Sequence, residues 1–145
     1  FSAQESWANY IVEIGKLRSD TKRITVLVKQ FIEELYAFKI TKVLFKPTKA
    51  KVIPFRRTIE EFISYFIASN NVCPEDKGFA LEPWKSVKFE NYDITYNEKN
   101  VLAVGNYFFE NESGHKIKVE YTFGYIIDET GKLKINLHHS SIPFV

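Results

Sequence analysis

The sequence predicts an α+β fold in which N-terminal helices pack in the concavity of a curved antiparallel sheet. Apolar residues recur at helical spacing through the first part of the chain, whereas beyond Pro83 four runs of strand-forming residues follow one another with turn signals between them. Helices first and an antiparallel sheet after them pack as layers, the helices covering one sheet face. A third observation agrees. Of the 145 residues 16% are aromatic (thirteen Phe, eight Tyr, two Trp), and rings suit strands and pocket walls better than a coiled coil. The length fits one domain, 1–145, and there is no internal repeat or low-complexity tract.

Taken in order, Ala3, Trp7, Ile11 and Ile14 lie on one face of a helix over Ser2 to Lys16. Ile24, Leu27, Val28, Phe31, Leu35 and Phe38 repeat the pattern from Thr21 to about Phe38, with Asp20 as N-cap. Val43 to Phe45 is a short run stopped by Pro47, as in an edge strand. Thr58-Ile59-Glu60-Glu61 reads as a Thr-x-x-Glu capping box ahead of a third helix bearing Phe62, Ile63, Tyr65, Phe66 and Ile67. Asn70 to Pro83 is a loop by composition. The strands are Ser86 to Tyr96, Asn100 to Glu110, Lys116 to Asp128 and Lys132 to Ser141, joined as a meander. Such a sheet, curled around a helix, leaves a cone with a pocket at its open end.

Composition removes several classes of function. A net charge of +2 does not announce a nucleic-acid protein. Lys39, Lys42, Lys46, Lys49, Lys51, Arg56 and Arg57 give a basic stretch without a negative charge, which reads as a solvated loop and helix flank. No apolar run approaches the roughly 18 to 20 residues of a membrane span, and no targeting segment is visible. With no Met in the chain, Phe1 is not expected to be the natural start. Cys73, the only cysteine, excludes an internal disulfide and reads as a half-buried structural thiol. Asn111-Glu112-Ser113 matches the glycosylation tripeptide, which means little without a secretory context.

The last strand carries the chemistry. Alternation puts Leu133, Ile135, Leu137, His139 and Ser141 on one face and Lys134, Asn136, His138 and Ser140 on the other. The first face is apolar until its end, so it is expected to look into the concavity, with His139 and Ser141 where core gives way to pocket. A zinc site with three His ligands is not expected, because His138 and His139 point to opposite faces and His115 sits in a hairpin turn; a mixed site drawing on Glu120, Asp76 or Cys73 stays open, although no ligand spacing marks one.

Phe45-Lys46-Pro47-Thr48, Ser64-Tyr65-Phe66, Lys77-Gly78-Phe79-Ala80, Pro83-Trp84, Gly105-Asn106-Tyr107-Phe108-Phe109, Val119 to Tyr125 and His138-His139-Ser140-Ser141-Ile142-Pro143 resemble, in that order, the iota-class carbonic anhydrases. That class belongs to the nuclear transport factor 2-like superfamily and is similar to the association domain of the calcium/calmodulin-dependent protein kinase. The resemblance spans about Val43 to Phe144 by motif, and the N-terminal helices by pattern only.

It implies reversible hydration of carbon dioxide to bicarbonate on a cone-shaped fold. It also implies a likeness to members that work without a metal, although others have been described as metal-dependent; no cofactor is expected here. Carried over motif by motif, the site residues are Thr48, Tyr65 and a His-x-Ser pair. That pair is His138 with Ser140 or His139 with Ser141, and the face argument selects His139 and Ser141. Thr48, Tyr65 and Ser141 would bind substrate through hydroxyls, and His139 would act as base or relay. Family analogy adds a homodimer through the outer sheet face, and a plastid, another organelle or the periplasm as compartment. Neither a nucleic-acid nor a membrane partner is expected. The rival is a non-catalytic association or small-ligand-binding module of the same fold.

Overall fold

The first two helices form where their apolar spacing places them. α1 (Ser2–Lys16) buries Trp7, Ala8, Ile11 and Ile14, and α2 (Thr21–Leu35) buries Ile24, Val28, Phe31, Ile32 and Leu35. This computed structural model describes all of the chain, Phe1–Val145. Asp20 caps α2, its carboxylate accepting the Arg23 N–H at 3.1 Å. α2 ends at Leu35, short of Phe38, because the backbone turns extended at Tyr36 (φ −103°, ψ 146°). There Tyr36 bridges to Ile135, and the Ala37 N–H donates to the Ile135 carbonyl at 2.8 Å. The phenol of Tyr36 is thereby buried in the core.

α3 (Ile59–Ile67) begins at the expected capping box, where the Glu61 N–H donates to Thr58 Oγ1 at 3.1 Å and the Thr58 N–H donates to Glu61 Oε1 at 3.0 Å.

The sheet comprises β1 (Leu44–Lys46), β2 (Trp84–Tyr96), β3 (Asn100–Asn111), β4 (Lys116–Ile127) and β5 (Leu133–Ser141), in the order β1-β5-β4-β3-β2. The last four form the expected antiparallel meander. β1 adds a short parallel pairing to β5, with Phe45 opposite His138, so the curved sheet is mixed. Inward-facing Val101, Ala103, Tyr107 and Phe109 of β3 and Val119, Tyr121, Phe123 and Tyr125 of β4 join the helices in one apolar core.

Three register shifts interrupt the ladders, one of them at the start of β2 between Trp84 and Ser86, and the other two each lie against a glycine. Tyr92 is the extra residue opposite Gly105, where an added Cβ would stand 2.3 Å from the Glu90 carbonyl oxygen. Asn136 is the second. Leu137 pairs with Gly124 and Ile135 with Tyr125, leaving Asn136 unpaired, and a Cβ at Gly124 would come within 2.9 Å of Leu137 Cβ and 3.0 Å of Asn136 Oδ1. The extra residue reverses the in/out alternation of β5 at that point.

The segment between β1 and α3 is tied to the loop that follows α3. The Arg56 guanidinium makes a two-pronged pair with Asp76 (2.8 and 2.9 Å), and Ser64 Oγ donates to the same carboxylate at 2.6 Å. Glu75 accepts the N–H groups of Lys51, Val52 and Ile53 at 2.7 to 3.0 Å. Arg56 therefore departs from the solvated reading of the basic stretch, because a buried carboxylate holds it inside. Cys73 is fully buried rather than half-buried, its N–H donating to Ser64 Oγ at 3.2 Å. No helix is long and apolar enough to cross a membrane.

Candidate active site: a buried imidazole in a ring of hydroxyls

The bulge at Asn136 decides which His-x-Ser pair faces the concavity. Ile135 points inward, and after the extra residue His138 and Ser140 do so as well, with 2% and 1% of their surface exposed. His139 is exposed and Ser141 is partly exposed, beside Glu120, Thr122 and Leu137 on the outer face. The face assigned to His139 and Ser141 from simple alternation is therefore corrected. One residue of slippage within β5 exchanges the two pairs. The bulge lies opposite Gly124 of β4, where an added Cβ would crowd Leu137 and Asn136, and nothing within β5 itself marks it.

His138 lies between two phenylalanine rings, stacked on Phe123 at 4.2 Å and on Phe45 at 4.7 Å between ring centres. Its Nδ1 is 2.9 Å from the Tyr36 hydroxyl, which accepts the Trp7 Nε1–H at 3.0 Å. Its Nε2 is 3.0 Å from the Tyr107 hydroxyl and 3.1 Å from Ser140 Oγ, and these two oxygens are hydrogen-bonded to each other. Burial, with a smaller contribution from neighbouring His139, pushes the imidazole well below the usual histidine range, so it is neutral at neutral pH. Burial also raises the phenols of Tyr36, Tyr65 and Tyr107, which keeps all three protonated as donors.

Thr48, just after β1, and Tyr65 of α3 complete the site. Tyr65 Oη accepts the Lys49 N–H at 3.2 Å, and the Thr48 hydroxyl faces the phenols of Tyr65 and Tyr107. Together with Trp7, Phe45, Pro47, Phe66 and Phe79, these groups enclose a cavity with about 10 Å³ open to the centre of a water molecule, room for roughly one. Tyr65 and Phe79 also line a wider cleft of about 590 Å³ with Lys49, Glu75 and Lys77, so these two rings partition cavity from solvent.

The structure thus brings Thr48, Tyr65, His138 and Ser140 together and leaves His139 and Ser141 outside. Sequence reasoning missed Tyr36, Tyr107 and Trp7 as partners of the imidazole. A signal existed for Tyr107, a hydroxyl on the otherwise apolar inward face of β3. None existed for Tyr36, whose exit from the helical pattern is set by its bridge to β5.

Chemically, the cavity offers one imidazole and four hydroxyls against aromatic walls. That is a donor set for the oxygens of a small planar acid, not the His, Cys and carboxylate set that zinc takes. No three His, Cys, Asp or Glu side chains converge as ligands.

Comparison with known proteins agrees with this chemistry. The family described as metal-independent carbonic anhydrase matches residues 1–142. A metal-independent carbonic anhydrase from Nostoc sp. strain PCC 7120 is 33% identical over 147 residues, covering 99% of this chain and 71% of that protein. The crystal structure of a cyanobacterial iota-carbonic anhydrase complexed with bicarbonate superposes with a TM-score of 0.94 at 31% identity, covering 99% of this chain and 90% of that one. An NTF2-like protein from Streptomyces avermitilis shares the fold alone, with a TM-score of 0.62 at 11% identity and coverage of 99% and 92%. The chain therefore belongs to the metal-independent carbonic anhydrase family, on the NTF2-like fold.

Proposed function

We propose that this chain interconverts carbon dioxide and bicarbonate in the cavity bounded by Thr48, Tyr65, Tyr107, His138 and Ser140. The observation that carries the reading is that a relative with the same fold along nearly its whole length was solved with bicarbonate. The imidazole and hydroxyls of this cavity are the hydrogen-bond partners that bicarbonate oxygens take; with room for roughly one water, the cavity must widen toward the cleft at Tyr65 and Phe79 to admit the whole molecule. In the hydration direction the oxygen of a cavity water bonds to the carbon, one C=O π bond opens onto oxygen, and a proton leaves. Trp7, Phe45, Phe66 and Phe79 suit apolar carbon dioxide and exclude bulk water. Hydroxyl donors aimed at the oxygen that gains charge stabilise the transition state without reorganising. The proton leaves toward the cleft beyond Tyr65 and Phe79, the side on which the cavity adjoins solvent.

Neutral His138 is not the terminal proton acceptor. It sets the positions of the Tyr107 and Ser140 hydroxyls, so the role first assigned to His139 passes to His138 in altered form. We also propose that the chain works as a homodimer through the outer sheet face, where Leu102 and Val104 are 47% and 40% exposed; sedimentation at micromolar concentration tests this. Stopped-flow hydration on protein stripped of metal, with metal content measured, tests the activity. Acceleration over a boiled control is expected. Loss on chelation with recovery on added zinc or manganese would overturn the metal-free account, and no acceleration at all would favour the association-module reading.

A further inference from the structure

Four buried donors around His138 fix where its single proton must sit. Tyr36 Oη has two polar neighbours, Trp7 Nε1 at 3.0 Å and His138 Nδ1 at 2.9 Å. Indole nitrogen is a donor only, so Trp7 occupies a lone pair of the phenol oxygen and cannot receive the phenol proton. The residue is 1% exposed, and among the protein groups hydrogen-bonded to Tyr36 Oη only His138 Nδ1 can accept its proton. A buried O–H without an acceptor costs on the order of 1–3 kcal/mol, so the Tyr36 proton points at Nδ1. Nδ1 is then the bare nitrogen, and the neutral ring carries its proton on Nε2.

The consequence falls on the catalytic side of the ring. Nε2, Tyr107 Oη and Ser140 Oγ form a triangle in which each atom is within hydrogen-bond reach of the other two. With Nε2 protonated, the ring donates into the hydroxyl pair, one hydroxyl proton bridges Tyr107 and Ser140, and the other is left for the cavity. With Nδ1 protonated instead, Nε2 would absorb one hydroxyl proton, the bridge would absorb the other, and the cavity would meet only lone pairs. The first state suits the charge-bearing oxygen of bicarbonate; the second would face it with lone pairs.

We propose that Tyr36, itself oriented by Trp7, is a positioning residue that holds His138 in its Nε2–H form and so makes the Tyr107–Ser140 pair a donor toward substrate. Tyr36 touches no substrate; it lies on the opposite side of the imidazole from the cavity. This inference rests on the proposed reaction for its meaning, but its first test does not. Long-range proton–nitrogen correlation spectra of ¹⁵N-histidine-labelled protein distinguish the two ring nitrogens by their couplings to the carbon-bound protons. The expected result is a bare Nδ1 and a protonated Nε2 for His138 at neutral pH; a protonated Nδ1 would overturn the proposal, whatever the enzymatic activity.

Tyr36→Phe then removes only the hydroxyl. It is expected to populate both tautomers and to lower kcat/KM in proportion to the Nε2–H fraction that remains, about twofold where the two tautomers are equal. An unchanged tautomer in this variant, or a shifted tautomer with unchanged kcat/KM, would also overturn it. A protein without hydration activity but with Nε2–H fixed and released by Tyr36→Phe would refute the proposed reaction while leaving the positioning role in place.

Discussion

Asp76→Ala isolates the contact that holds the segment carrying Thr48. The side chains of Arg56 and Asp76 are 0% and 1% exposed, and they meet through two hydrogen bonds of 2.8 and 2.9 Å. Guanidinium does not shed its proton, so removing the carboxylate leaves a buried cation. Breaking a buried pair in this way costs about 3–5 kcal/mol. Two features place this case at the low end. Arg56 keeps the carbonyls of Ile53 and Glu61, and Glu75 stands 3.9 Å away with a partly exposed side chain. A loss near 3 kcal/mol is a large share of the roughly 5–15 kcal/mol of a typical domain, and at this chain length lowers Tm by about 6–12 °C.

Urea unfolding of wild type, Asp76→Ala and the double variant Arg56→Met with Asp76→Leu measures the effect. The double variant removes both charges and is expected to be more stable than Asp76→Ala. A cost below about 1 kcal/mol for Asp76→Ala, or a double variant no better than the single, would refute the argument that an uncompensated buried charge sets the penalty.

Two further outcomes follow from other contacts. Gly105→Ala places a Cβ 2.3 Å from the Glu90 carbonyl oxygen and 2.8 Å from the Tyr92 nitrogen, both backbone atoms of the bulge, so a loss of about 1–3 kcal/mol is expected in thermal unfolding, and wild-type stability would contradict the packing described. Stability also depends on pH through His138. Its native pKa lies well below 6.5, so the unfolded chain takes up a proton first as pH falls; the stability from this group is present above pH 6.5 and is lost on acidification toward the native value, at up to about 1.4 kcal/mol per pH unit. His138→Gln is expected to flatten that slope between pH 6.5 and 5, and an unchanged slope would contradict a buried neutral ring.

The helices, the capping box and the meander were legible because each rests on local chemistry: apolar spacing in α1 and α2, a side-chain acceptor at Asp20, and turn residues between strands. Thr48 and Tyr65 were legible through motif resemblance, and they meet at the cavity. The face of the last strand was not legible from alternation, since one unpaired residue at Asn136 undoes it and only the register against Gly124 reveals that residue. Tyr36 was hidden for a similar reason. Its extended backbone follows from a bridge to Ile135, about a hundred residues away in sequence, and helix propensity carries no trace of such a partner.

Oxygen-18 exchange between carbon dioxide and water, followed on metal-stripped protein, tests the location of the chemistry most directly. Four variants suffice: His138→Gln and Ser140→Ala on the cavity side of β5, His139→Gln and Ser141→Ala on the outer side. Loss of one preorganised donor costs on the order of 10²-fold, so each cavity-side variant is expected to lower exchange by about that factor while each outer variant stays within about twofold of wild type. Normal exchange in His138→Gln and Ser140→Ala, with loss in His139→Gln or Ser141→Ala, would contradict the account.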